Sequence, residues 1–248
     1  MVGKAIIGTS GWNYKHWGEG VFYPPRMKQA EWLSYYANFF ESVEINNTFY
    51  HLPSPEVFAR WYKETPAQFV FSVKANRFLT HLKKLANPEK YVDKFLKNIS
   101  GLQEKVKVVL FQLPPFWKFP KARLEAFLGY LSQKNDNFNL RFALEIRHKS
   151  WHCAECWKIL EKYNVSLVFA DWPGLDIDRP ATADFIFVRR HGYQSLYATS
   201  YPDDYLKKFA SKIKKWLSTG RDVYVYFNND ACGYAIQNAL SLKTYLNN

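Results

Sequence analysis

The sequence predicts a closed (β/α)8 barrel of TIM type, an α/β fold with eight parallel strands in a single domain over residues 1–248, and three observations predict it. Eight short β-rich runs recur along the chain, and helix-like stretches with apolar residues three or four apart lie between most of them. No low-complexity linker or change in composition divides the 248 residues, whose 48% hydrophobic share fills one sizeable core.

The first run, AIIGTSGW (5 to 12), is followed by a Gly-rich loop and a helical stretch at 28 to 40. SVEINNTFY (42 to 50) precedes a helix at 55 to 64, and FVFSVKA (69 to 75) one at 89 to 104. KVVLFQLPP (107 to 115) ends in a double proline, which stops the strand before a helix at 121 to 133. RFALEIRH (141 to 148) leads to a helix at 152 to 163, while SLVFAD (166 to 171) leads into DWPGLDIDRPATAD, where the sixth helix is short or missing. DFIFVRRHG (184 to 192) and DVYVYFNND (222 to 230) complete the set, with helices at 203 to 218 and 232 to 247. Several runs are apolar on both faces, as expected of strands lying between a barrel interior and a layer of helices.

Composition narrows the function classes. No stretch of eighteen apolar residues occurs and the N-terminus lacks the layout of a signal peptide, so the expectation is a cytoplasmic protein without a membrane partner. Three cysteines make no disulfide scaffold. Lys and Arg total 34 against 22 acidic residues, giving +12, and 19% of the residues are aromatic. That balance suits a nucleic acid or an anionic small molecule as partner, or else a solvated helix face carrying Lys207, Lys208, Lys212, Lys214 and Lys215. The sequence fixes no oligomeric state.

Barrel active sites are built at the C-terminal ends of the strands, and here those ends are polar. Glu44 and Asn46, Glu145 and Arg147, Arg189 and His191, and Asn228 and Asp230 are each two apart, the spacing that puts side chains on one strand face. With Lys74 and Gln112 they form a polar ring. Glu44, Glu145, His191 and Asp230 are the candidate catalytic residues, as proton carriers or as ligands, with Asp171, of a divalent metal, magnesium or manganese. Lys74, Arg147 and Arg189 suit an anionic group, and Asn46, Tyr50, Gln112, Asn228, Asn229 and Trp12 complete the binding set. Aromatics of the first loop, Trp12, Tyr14, Trp17, Phe22 and Tyr23, either stack on a ligand or pack against the rim. HCAEC (152 to 156) holds a CxxC without the second ligand pair of a zinc site and reads as two small residues opening a helix.

The motifs GTSGW, FYPP, VEINNTFY, FSVKANRFLTH, LFQLPP, EIRHKSW, VRRHG and YFNND, in this order from Gly8 to about Ala239, resemble the YecE-like family of uncharacterised proteins. The resemblance implies a TIM-type barrel, comparable with endonuclease IV and xylose isomerase barrels, and no established activity. Its characteristic positions fall on Trp12, Tyr23, Glu44, Asn46, Phe49, Tyr50, Lys74, His81, Gln112, Glu145, Arg147, Trp151, Arg189, His191, Asn228 and Asn229. Three functions follow as expectations: hydrolysis of a phosphate-bearing substrate such as a nucleic acid or nucleotide, non-catalytic binding of nucleic acid, or isomerase or lyase chemistry on a sugar or sugar phosphate.

Overall fold

The computed structural model describes residues 2–135, 138–175 and 179–247. Its strands are β1 (Ala5–Thr9), β2 (Ser42–Ile45), β3 (Val70–Lys74), β4 (Val106–Gln112), β5 (Arg141–Glu145), β6 (Val165–Leu167), β7 (Phe169–Ala170), β8 (Phe185–Arg190) and β9 (Asp222–Phe227). They form two parallel sheets, in the orders β1-β9-β8-β7 and β2-β3-β4-β5-β6. The helices are α1 (Trp32–Tyr36), α2 (Pro55–Lys63), α3 (Glu89–Ile99), α4 (Lys121–Asn135), α5 (Ala154–Lys162), α6 (Asp203–Ser218) and α7 (Tyr234–Asn247).

Nine strands in two sheets replace the eight expected in one closed barrel, and the sixth run accounts for the difference. Its chain changes partner at Val168: β6 pairs with β5, the Val168 amide still donates to Leu144, and β7 pairs with β8. At the other seam, an isolated parallel bridge between Ser10 and Glu44 links the ends of β1 and β2. Among the described residues between β7 and β8 there is no helix, as the sequence predicts, and residues 176–178 of that connection lie outside the described part.

Local chemistry sets the helix ends. Pro55 occupies the first turn of α2 with Glu56, and Arg60 and Lys63 occupy the last turn, an order that complements the helix dipole. The first helix is shorter than the predicted 28 to 40. Thr9 donates to the Tyr36 hydroxyl through both its amide and its side chain, and that hydroxyl donates to the Ser42 carbonyl, so the ring ties α1 to β1 and β2. Aromatic residues such as Trp32 and Tyr36 are also weaker helix formers than straight-chain ones.

Alternation along the strands makes two cores. The outward residues Val109, Phe111, Leu144, Val188 and Val225 pack beneath the helices. The inward ones, Val108, Leu110, Ala143, Phe185, Phe187, Tyr224 and Tyr226, pack together with both sheets contributing. Above them Ser42 and Ser72 both bond the Tyr226 hydroxyl. One step further along the same inward positions come Ser10, Glu44, Lys74, Gln112, Glu145 and Arg189.

Gly8 is where β1 comes close to β2, since a Cβ there would lie 2.1 Å from the Ser42 carbonyl oxygen. Gly8→Ala is therefore expected to cost about 1–3 kcal/mol through forced backbone movement. Denaturant titration of the variant checks this, and an unchanged midpoint would contradict it.

Candidate functional site

The inward polar residues form a buried charge lattice centred on Arg189. Its Nε and Nη2 donate to the two oxygens of Glu44 at 3.0 and 2.8 Å, and Nη1 donates to Glu145 at 2.7 Å. Glu44, Glu145 and Arg189 are all 0% exposed. Ser10 donates to Glu44 at 2.8 Å, and Arg147 donates through Nε to Glu145 at 2.5 Å. Burial alone would raise the Glu145 pKa, but Arg147 and Arg189, with His191, outweigh it and hold the carboxyl well below its usual range. Glu145 is thus held as the anionic partner of two guanidinium groups.

His191 is fully buried beside this pair. Its Nδ1 lies 3.1 Å from the Asn228 amide nitrogen, which can only donate, and its Nε2 lies 3.3 Å from Glu145. The same Nε2 also lies 3.3 Å from Arg147 Nη2, and burial lowers the pKa of the ring. Both ring nitrogens therefore face polar partners of the lattice or its rim.

Lys74 differs from its neighbours. It is 9% exposed, at the end of β3, with its ammonium 4.1 Å from the centroid of the Phe49 ring. Among the described residues its Nζ makes no hydrogen bond and no ion pair within 4.0 Å. Burial, then Arg189 and Arg147, against the opposing pull of Glu145 and Glu44, bring its pKa down to about 7. His81 packs edge-on to the same Phe49 ring at 4.9 Å and accepts from or donates to Thr80. Burial, with Lys74, Arg77 and Arg147, lowers its pKa to about 4. The side chain of Gln112 and the Nη1 of Arg147 likewise have no hydrogen-bond partner among the described residues, although the Arg147 guanidinium lies 3.4 Å from the Trp172 ring centroid.

Over residues 6–248 the sequence matches the family described as "Protein of unknown function DUF72". The chain belongs to the DUF72 family. The resemblance to YecE-like proteins is borne out. The chain is 25% identical to UPF0759 protein YunF of Bacillus subtilis over 97% of this chain and 94% of that protein. It is 34% identical to UPF0759 protein YecE of Escherichia coli over 47% of this chain and 41% of that one. The solved structure of a DUF72 family protein from Thermotoga maritima, 31% identical, superposes with a TM-score of 0.85 over 99% of this chain and 100% of that one. A likeness at 12% identity to an AP endonuclease of family 2 from Brucella melitensis, with a TM-score of 0.57 over 96% of each chain, concerns the fold alone.

The remaining candidate residues of this DUF72 chain lie apart from the lattice. Asp230 falls three residues beyond β9 and turns to His16 at 3.3 Å, because the chain leaves the strand direction after Asn228. Asn229 points to the opposite side and donates to Thr199 and to Asn238 of α7, a buried polar knot. Asp171 accepts from the His191 amide and bonds the Tyr201 hydroxyl. The five proposed metal ligands therefore do not converge, and no group of three His, Cys, Asp or Glu suited to a metal occurs among the described residues. Arg189 lies between Glu44 and Glu145, where a shared cation would have to bind, so the donor set does not fit a divalent metal.

Trp12, Asn46 and Tyr50 line a cleft of about 640 Å³ with Tyr14, Leu33 and Trp61. It opens beside the lattice, to which Asn46 connects by donating to the Ser10 carbonyl. Trp17 and Tyr23 are fully buried, which settles them as packing residues. Cys156 is buried in α5 and Cys153 is half-buried just before it. No described helix is long and apolar enough to cross a membrane.

Sequence reasoning missed Ser10 and Trp172. Ser10 was legible, since it continues the Ile6, Gly8 alternation of β1. Trp172 carries no such signal, because its place beneath Arg147 depends on the chain's path after β7.

Proposed function

We propose that this chain is an enzyme acting by proton transfer on a small anionic molecule, one bearing a phosphate or carboxylate, at the C-terminal ends of its strands. We read the two sheets as halves of one closed barrel, joined at the Ser10–Glu44 bridge and at Val168, with β6 and β7 counting as one strand. The observation that carries the proposal is the unengaged Lys74 amine beside a lattice whose other charges satisfy one another. Glu44 and Glu145 balance Arg189 and Arg147, so each added positive charge at Lys74 favours an anion. Gln112 and the Nη1 of Arg147 supply free donors beside it. In this reading Glu44, Glu145 and Arg189 position the site, while Lys74 gives and takes the proton. Isomerase or lyase chemistry uses these groups more directly than hydrolysis does.

Inorganic phosphate and a panel of sugar phosphates should raise the melting temperature in a concentration-dependent way, and Lys74→Met should remove the shift. No shift with any of them would contradict the reading.

The exposed lysines of α6 favour a second reading, nucleic-acid binding. Fluorescence anisotropy with single-stranded and abasic duplex DNA at roughly 50 and 200 mM salt separates the two. Tight binding that is lost with salt, and weakened by neutralising Lys207, Lys208 and Lys212, would favour the second.

A further inference from the structure

We propose that Lys74 is a nucleophile that forms an imine with a small carbonyl compound carrying an anionic group. This rests on the reading of the site as one for small anions and names the reactive function of the substrate.

Three features of the geometry point to it. Lys74 ends β3 on the inward face, where the Phe49 ring forms one wall against its ammonium. Of the charged groups around it, Glu44 and Glu145 are each held by Arg189, and Glu145 by Arg147 as well, so neither carboxylate lies within ion-pair distance of Nζ. Thr48 anchors the backbone at the strand end by donating to the Lys74 carbonyl at 2.6 Å. An amine desolvated beside cationic groups is the setting in which lysine becomes a nucleophile at neutral pH, and here Arg189 and Arg147 are those groups.

The step balances without a further reactant. The neutral amine attacks the carbonyl carbon and forms a C–N bond, and a proton moves from nitrogen to oxygen to give the carbinolamine. The C–O bond then breaks, the oxygen leaves as water with the second amine hydrogen, and a C=N bond remains. Nothing is oxidised or reduced. The anionic group of the substrate is left to the free Nη1 of Arg147 and the amide of Gln112. Once protonated, the imine withdraws electrons from the adjacent carbon, which is what isomerisation or carbon–carbon cleavage of such a substrate requires.

The test uses the intact protein, glyoxylate as a small anionic aldehyde, and cyanoborohydride to reduce any imine, with the adduct mapped by peptide mass spectrometry. Carboxymethylation at Lys74 is expected at pH 7 at least about tenfold faster than at the lysines of α6, because an ordinary lysine with its pKa near 10.4 is almost wholly protonated there. Phosphate should slow it. A wild-type protein that gains no adduct at Lys74, or gains it no faster than at the exposed lysines, overturns the proposal. Melting curves with phosphate accompany the labelling. Stabilisation by phosphate without an adduct overturns the imine and leaves the anion site standing, whereas neither effect overturns both.

Discussion

Arg189→Met is expected to lower the stability of the fold by about 3–5 kcal/mol, the cost of removing one partner from a buried ion pair. The guanidinium is the shared partner of two carboxylates that are 0% exposed, and its loss leaves both facing a low-dielectric interior. For a chain of this size the melting temperature should fall by on the order of 10 °C. Combining it with Glu44→Gln should recover part of the loss, since the carboxylate left unpaired is removed while Glu145 keeps Arg147 as its partner. By contrast Asp230→Asn, which removes a partly exposed pair with His16, should change stability by less than about 1 kcal/mol. Thermal unfolding of the three variants checks the ordering. Equal effects at Arg189 and Asp230 would mean that the lattice does not hold the strand ends together.

Lys74→Met is expected to act in the opposite direction and to depend on pH. The folded protein gives up the Lys74 proton near pH 7, whereas the unfolded chain keeps it to about 10.5. Between those limits the unfolded chain binds more protons, so the stability of the wild type rises with pH. Below pH 7 the burial of a charged amine is felt in full, and the variant should be the more stable by on the order of a few kcal/mol. The gap should close as the pH climbs toward 10. His81 and His191 titrate below this window, because burial lowers both of their pKa values from 6.5. A difference between wild type and variant that is flat from pH 6 to 10 would contradict the low pKa.

Much of this was legible in the sequence, and the misses have physical causes. The period-two spacing at the strand ends reads correctly wherever the strand direction persists. Glu145 with Arg147 and Arg189 with His191 meet in one lattice, although Arg147 lies two residues past the end of β5 and His191 one past the end of β8. Asp230 breaks the pattern because the chain turns into a short 3-10 helix, Ala231–Gly233, immediately after it. The sequence also identifies residue types without showing how they pair. Four charged side chains at strand ends could clamp an anion or hold a metal, and only the distances show that they neutralise one another around Arg189. Lys74 stood among several cations in the sequence. Its difference from them lies in having no hydrogen-bond or ion-pair partner among the described residues, which depends on where its neighbours' side chains go.

The account rests on the state of that amine, and it can be measured directly. A carbon-13 NMR titration of the lysine Cε signals, with Lys74 assigned by comparison with Lys74→Arg, reads its pKa in the folded protein. The account predicts one lysine titrating near pH 7, apart from the others, and moving upward when phosphate binds. A Lys74 signal that titrates near 10 with the surface lysines would contradict it.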